Sequence, residues 1–326
     1  MRRSGFNIMI KLIALIKPLW HVMLLCICLG VLGFLAAISI NVLAVNLLLI
    51  VINSSPLNLT FKTCALIIIV CAILRAVLRY GEQTCGHFIA FKLLATLRDK
   101  IFAVLRKLAP AKLENKEKGN LISLISSDIE LLEVFYAHTI APVAIAFIVS
   151  FIMVVGIAFI NVYLAVLALS AYVIVGIIVP IASANIGRKS GMATRNKIGE
   201  LNSYFLESVR GIKEVIQFQQ IENRAKLIVD KTLELNDLQS DLKKNEGVAG
   251  GLAGALVMFF TVLILISAIV LDLSFSDSLL ATIMLSASFG PVLALANLSA
   301  TLNLTMASGE RVLNLLNEEA LVSVNT

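Results

Sequence analysis

Four polar side chains recur at intervals of four through an otherwise apolar stretch: Arg75, Arg79, Gln83 and His87. On an α-helix each step of four turns by about 40°, so they form a slow ribbon along one side. Ionisable groups at membrane depth are functional candidates, because facing them to lipid is costly. Arg75 and Arg79 are therefore candidates for a substrate pathway, against the plain alternative that both snorkel to inner-leaflet headgroups. His87 offers a neutral imidazole suited to iron, against the plain reading of an interfacial histidine. Asn41, Asn46, Asn297 and Asn303 could line the same pathway or hydrogen-bond between helices. His21 and His138 carry only the plain reading. The five cysteines (Cys26, Cys28, Cys64, Cys71, Cys85) have neither disulfide-framework nor zinc spacing and read as small packing residues. No catalytic constellation and no metal site emerges.

The elements that must position these residues are membrane spans. With 59% hydrophobic residues, 15% charged and a mean hydropathy of +0.94, 326 residues describe a polytopic membrane protein. The net charge of +6 is no nucleic-acid signal, because the cations are placed by topology. No Lys or Arg occurs between Lys118 and Arg188, or between Lys244 and Arg311, and each gap can hold one hairpin of two spans. Lys62 alone lies near an outer loop. Both termini are expected in the cytoplasm, and Arg2 and Arg3 read as topology anchors rather than a cleaved signal.

Residues 1–18 are expected to lie along the inner leaflet as an interfacial helix that turns into the membrane at Pro18. Six spans follow within 19–318, at about 19–52, 61–85, 132–160, 163–187, 247–271 and 279–305. The second continues past the membrane to about Leu108. Asn53-Ser54-Ser55-Pro56, Asn161-Val162-Tyr163 and Leu271–Ser278 form the outer turns. Gly247, Gly250, Gly251 and Gly254 give small-xxx-small spacing at the start of span five, and Gly290-Pro291 predicts a kink in span six.

Two polar excursions interrupt this pattern. In Pro110–Glu133, Ser123, Ser126, Ser127 and Asp128 suit a helix start, while Leu121, Ile122, Ile125 and Ile129 give a short apolar face that must dock on something. A soluble partner domain is the natural candidate. From Gly187 to Glu246, eleven basic and nine acidic residues mark solvated helical stalks. RGIKEVIQFQQ breaks them near Gly211 into a second docking helix. Ser308-Gly309-Glu310 reads as a merely polar run at the end of span six.

This all-α plan of six long spans, cytoplasmic extensions and two docking helices resembles the transmembrane domain of an ABC exporter of the type IV, domain-swapped kind. Arg79 to Ala146 resembles the CydC-type half of a thiol and haem exporter. The resemblance implies a first coupling helix over Gly119–Glu130, with Gly119, Leu121, Ser123 and Asp128 matching the family pattern. Asn120 and Leu124 depart from it. A second coupling helix would centre on Gly211, Glu214 and Phe218. The resemblance also makes His87 the position associated with haem ligation.

The family's motor carries a G-x-x-x-x-G-K-[ST] loop whose amides cradle phosphate, and no Gly-Lys pair occurs here. Residues 319–326 are expected to be a stub where a nucleotide-binding domain would begin. ATP and magnesium are thus expected on another chain's nucleotide-binding domain, with this polypeptide no enzyme by itself. The expected partners are that domain, a second transporter half, identical or paralogous, and the bilayer of a bacterial plasma membrane. Alternating access would move a small thiol, an amino-acid-like compound or haem. A peptide or lipid exporter half, or a non-transporting membrane subunit, remain as alternatives.

Overall fold

The computed structural model describes residues 5–14, 17–57, 59–110, 121 and 124–318. Helix α1 (Gly5–Ala14) leads into α2 (Trp20–Val51) and α3 (Phe61–Leu108). After the first elbow, α4 is one continuous helix over Leu124–Ala158, and α5 runs without a break from Val162 to Arg210. The short α6 (Ile212–Gln217) joins it to α7 (Ile221–Val270), followed by α8 (Phe275–Ser288) and α9 (Gly290–Leu316). Among the described residues there is no strand, and six helical stretches are long and apolar enough to cross a membrane. The chain is an all-α multi-pass membrane protein.

The short turns after spans one, three and five lie where polar, turn-forming residues interrupt the apolar runs. Asn53 and Asp272 take the left-handed backbone, at φ 56° and 51°, which Asn and Asp tolerate better than bulkier residues. Thr60, Asn161 and Ser274 then cap α3, α5 and α8 by accepting the backbone N–H of Thr63, Tyr163 and Asp277. The Ser274 cap starts α8 four residues before the expected Leu279. α8 ends at Ser288 and α9 restarts at Gly290, with Pro291 in its first turn, so the predicted kink is a true break.

Among the described residues there are three wide, π-type turns, of which the one at Leu124–Asp128 opens α4 and the other two have a common cause. These two span Tyr136–Ile140 in α4 and Ile174–Ile178 in α5, each just before a proline, Pro142 and Pro180. A proline ring clashes with the carbonyl four residues back, here His138 and Gly176, and leaves it without its amide partner. Widening that turn accommodates the ring without breaking the helix.

Packing follows two hairpins and a central bundle. α2 lies along α3, α5 along α7, and α9 packs against α4, α5 and α1. Most of the largest fully buried side chains lie on α3, α4 and α1: Ile89, Leu93, Leu97 and Ile101, then Ile129, Leu132, Phe135 and Tyr136, with Leu12. The Tyr136 hydroxyl donates to the Leu12 carbonyl at 3.1 Å. α1, expected along the leaflet, is therefore also held inward. Elsewhere the spans keep apolar faces open, as Leu66, Ile69, Val70 and Ile73 of α3 do, and lipid is the medium that suits them.

Candidate functional site

The turn between spans four and five is a charged stalk with an apolar tip. α5 and α7 are pinned by an ion pair from Lys197 to Glu234, and by Tyr204 of α5, whose ring centre lies 4.8 Å from the Arg224 guanidinium carbon and 5.8 Å from Lys231 Nζ. The hydrogen bond to Glu234 raises the Lys197 pKa above its usual value. At the tip, α6 follows Gly211 directly, with Glu214 exposed beside it. A cleft of about 550 Å³ is lined by Ser203, Leu206, Glu207, Arg210, Gly211 and Glu214. Phe218 is 69% exposed, and Ile212 and Ile216, one helical turn apart, are also open. Leu206 and Val209 extend this patch onto the end of α5. Ile212, Ile216, Leu206 and Val209 were not singled out from sequence, although the four-residue spacing of the two isoleucines between polar neighbours was a usable signal.

The first elbow is organised differently. Gly119 and Ser123 lie outside the described residues, and Leu121 is half-buried. From Leu124 onward the expected separate docking helix is the first part of α4 itself, continuous with span three. Asp128 does not present a docking face. It is fully buried, accepting from Ser308 Oγ at 3.0 Å and lying 2.9 Å from Arg311 Nη1 of α9. Ser308, far from a merely polar run, is 1% exposed and part of this contact.

Within the membrane, the ribbon on α3 is drawn into local pairs. Arg79 Nη1 donates to both carboxylate oxygens of Glu82, at 2.9 and 2.7 Å. Glu82 is buried beside α2, where Gly30 leaves it room and Cys26 Sγ donates to its carbonyl at 3.4 Å. Sequence reasoning missed Glu82, although an acid one turn after Arg79 in an apolar helix was the available signal. Arg75 is exposed on α3. Asn41 is exposed and donates to its own helix at Ala37 O, 3.0 Å away. Asn46 is buried at the outer end of α2, donating to Cys64 Sγ at 3.5 Å and accepting from Ser55 Oγ at 2.9 Å. That geometry makes Asn46 a tie between α2, the following loop and α3. Asn297 and Asn303 sit on α9, with side chains outside the described set.

His87 meets α4. Its Nδ1 lies 3.6 Å from Glu133 Oε1, Phe91 stacks on its ring at 5.9 Å, and His138 packs edge-on at 5.5 Å between ring centres. His138 thus has a neighbour that its plain reading did not foresee. Two imidazoles ligating one haem iron must be separated by the porphyrin plane, whereas these two rings touch each other. As placed, the cluster is a polar tie between α3 and α4, and His138 does not stand as a second axial ligand opposite His87.

The ABC transporter transmembrane region family matches residues 22–295. The chain belongs to that family. This ABC transmembrane region is 43% identical over 323 residues to a Haemophilus influenzae protein named "Probable ABC transporter ATP-binding/permease protein", covering 98% of this chain and 58% of that one. A "Glutathione/L-cysteine transport system ATP-binding/permease protein CydC" of the same organism is 28% identical over 267 residues, covering 78% of this chain and 45% of its own. The CydD protein of Bacillus subtilis, named for the same transport system, is 27% identical over 143 residues, 44% of this chain and 25% of its own. The chain spans about half the length of the first two. The matched region takes in α2 to α8, and with them the α3–α4 cluster and the α5–α7 stalk.

Proposed function

We propose that this ABC transmembrane region is the permease half of an ATP-driven exporter working by alternating access, with an ATPase domain docked on α6. One observation carries the proposal: the tip of a paired, charged stalk ends in the exposed apolar side chains of Ile212, Ile216 and Phe218. The stalk from Ile221 to Gly247 is about 40 Å of helix, well beyond the bilayer. Apolar groups held that far out in water favour a protein partner. Gly119, Leu121 and Ser123 belong to a second docking point at the first elbow.

The ATPase domain is supplied in continuation of the polypeptide or by a separate chain; the proposal requires only that it seats on α6. A second transporter half completes the pathway. The Lys/Arg-free gaps support a bacterial plasma membrane orientation with both termini cytoplasmic. For substrate, the resemblance to the glutathione/L-cysteine transport proteins supports a small thiol or amino-acid-like compound. Arg75, Arg79 and Asn41 are the polar residues offered to it.

Expression of the tagged chain in its native host, followed by detergent extraction, tests the proposal. Where one polypeptide carries both parts, limited proteolysis severs the linker first. An ATP-binding domain should remain with the membrane region and be lost on Ile216→Asp or Phe218→Asp. Retention indifferent to both substitutions, or no such domain at all, would overturn it.

A further inference from the structure

The buried Asp128 carboxylate joins two cytoplasmic segments that lie 180 residues apart in the chain. Asp128 ends the first turn of α4, which begins at Leu124. Its partners, Ser308 and Arg311, lie in the last turns of α9, the helix that leaves span six. A carboxylate with no solvent exposure is costly to bury unless cationic and hydroxyl donors face it, so separating α4 from α9 means exposing it or taking those donors away. Around the ion pair the contact is apolar and closed: Ile129 and Leu132 of α4 and Val312, Leu313 and Leu315 of α9 belong to the same buried cluster. α1 lies against α9, and its Leu12 is tied to Tyr136 of α4, so a third helix braces the joint.

We propose that Asp128, Ser308 and Arg311 form a latch that makes the start of α4 and the exit of span six move as one body when the transporter cycles. This rests on the exporter reading above. A push delivered to the start of α4 by a docked motor would otherwise bend α4 alone. The latch routes that displacement into α9, and through the break at Gly290 toward the outer half of the bundle. Asp128 and Arg311 act here as positioning residues and touch no substrate.

The test uses the complete transporter, membrane region and ATPase domain together, in lipid vesicles with the five native cysteines replaced. One spin-label pair at Ser127 and Asn314, both exposed, reports the joint. A second pair at Leu57 and Asp272 reports the outer loops. In the wild type, the outer pair should shift between the nucleotide-free and ATP–vanadate states while the joint pair keeps one narrow distance. In Asp128→Asn and Arg311→Met the joint distance should broaden, and the fraction of molecules showing the outer shift should fall roughly tenfold. The milder Ser308→Ala should lie between, and Arg311→Lys should restore part of the shift, which guards against variants that simply fold poorly. Variants that keep both wild-type distances and the full outer shift would overturn the latch alone. A wild type whose outer pair ignores ATP–vanadate would overturn the exporter reading, and the latch with it.

Discussion

His87 Nδ1 of α3 lies 3.6 Å from Glu133 Oε1 of α4, so the ribbon of polar residues on span two ends in a contact with span three. Both side chains remain partly open, at 41% and 29%. A half-exposed pair of this kind contributes at most about 1 kcal/mol. His87→Ala should therefore lower thermal stability in detergent only slightly. Titration of the purified chain with haem should give the same Soret band for wild type and His87→Ala, since Phe91 and His138 pack against the ring. A Soret band that depends on His87 would contradict the tie and restore the ligand role.

Gly30 is where α2, α3 and α4 meet. A Cβ there would overlap Ile145 Cδ1 and come within 3.3 Å of the Glu82 carboxyl carbon. Gly30→Ala should cost about 1–3 kcal/mol, the usual penalty of overpacking. Adding Ile145→Val should recover part of the loss in thermal unfolding, because the closest clash is with that side chain.

The stalk pair should respond to alkaline pH. Glu234 raises the Lys197 pKa above its ordinary 10.5, so the pair's contribution is fully present below that value and is lost as pH rises through the raised value. Protection of residues 190–240, taken relative to the base-catalysed exchange of free amides at each pH, should be steady from neutral to mildly alkaline pH and fall only in strong alkali. Glu234→Gln should lower it already at neutral pH. Equal protection in wild type and variant would show that the pair does not hold the stalks.

Much of the fold was legible because membrane topology writes itself locally. The Lys/Arg-free gaps bound two hairpins, Asn53, Asn161 and Asp272 fall in the short turns between spans, and Gly211 precedes the short α6 in RGIKEVIQFQQ. Two of the wide turns were legible in principle from Pro142 and Pro180. The sites were less so. Asp128 suited an exposed helix start by type, and only the arrival of Ser308 and Arg311 from far along the chain makes it a buried anchor. Glu82 likewise needed the space left by Gly30 on another helix. Asn46 was sensed as polar and membrane-embedded, but its partners Ser55 and Cys64 make it a tie. Periodicity finds which residues share a face, and it does not say what that face meets.

The apolar tip also predicts a separation of folding from coupling. Phe218 is 69% exposed, so Phe218→Ala should change stability by no more than about 0.5 kcal/mol. Its effect on ATP hydrolysis by the complete transporter should nonetheless be large, a fall of roughly tenfold, as expected for an aromatic anchor at an interface. A variant that loses stability and activity in proportion would place Phe218 in the fold rather than at a docking surface.

The most direct measurement is a photo-crosslinking amino acid placed at Phe218 and irradiated in native membranes, with the joined peptides identified by mass spectrometry. The account predicts peptides from an ATP-binding domain, one that bears a G-x-x-x-x-G-K-[ST] loop, and their loss when Ile212 and Ile216 are both changed to Asp. Crosslinks to lipid, or to protein with no nucleotide-binding domain among the products, would contradict the claim that α6 is where the motor seats.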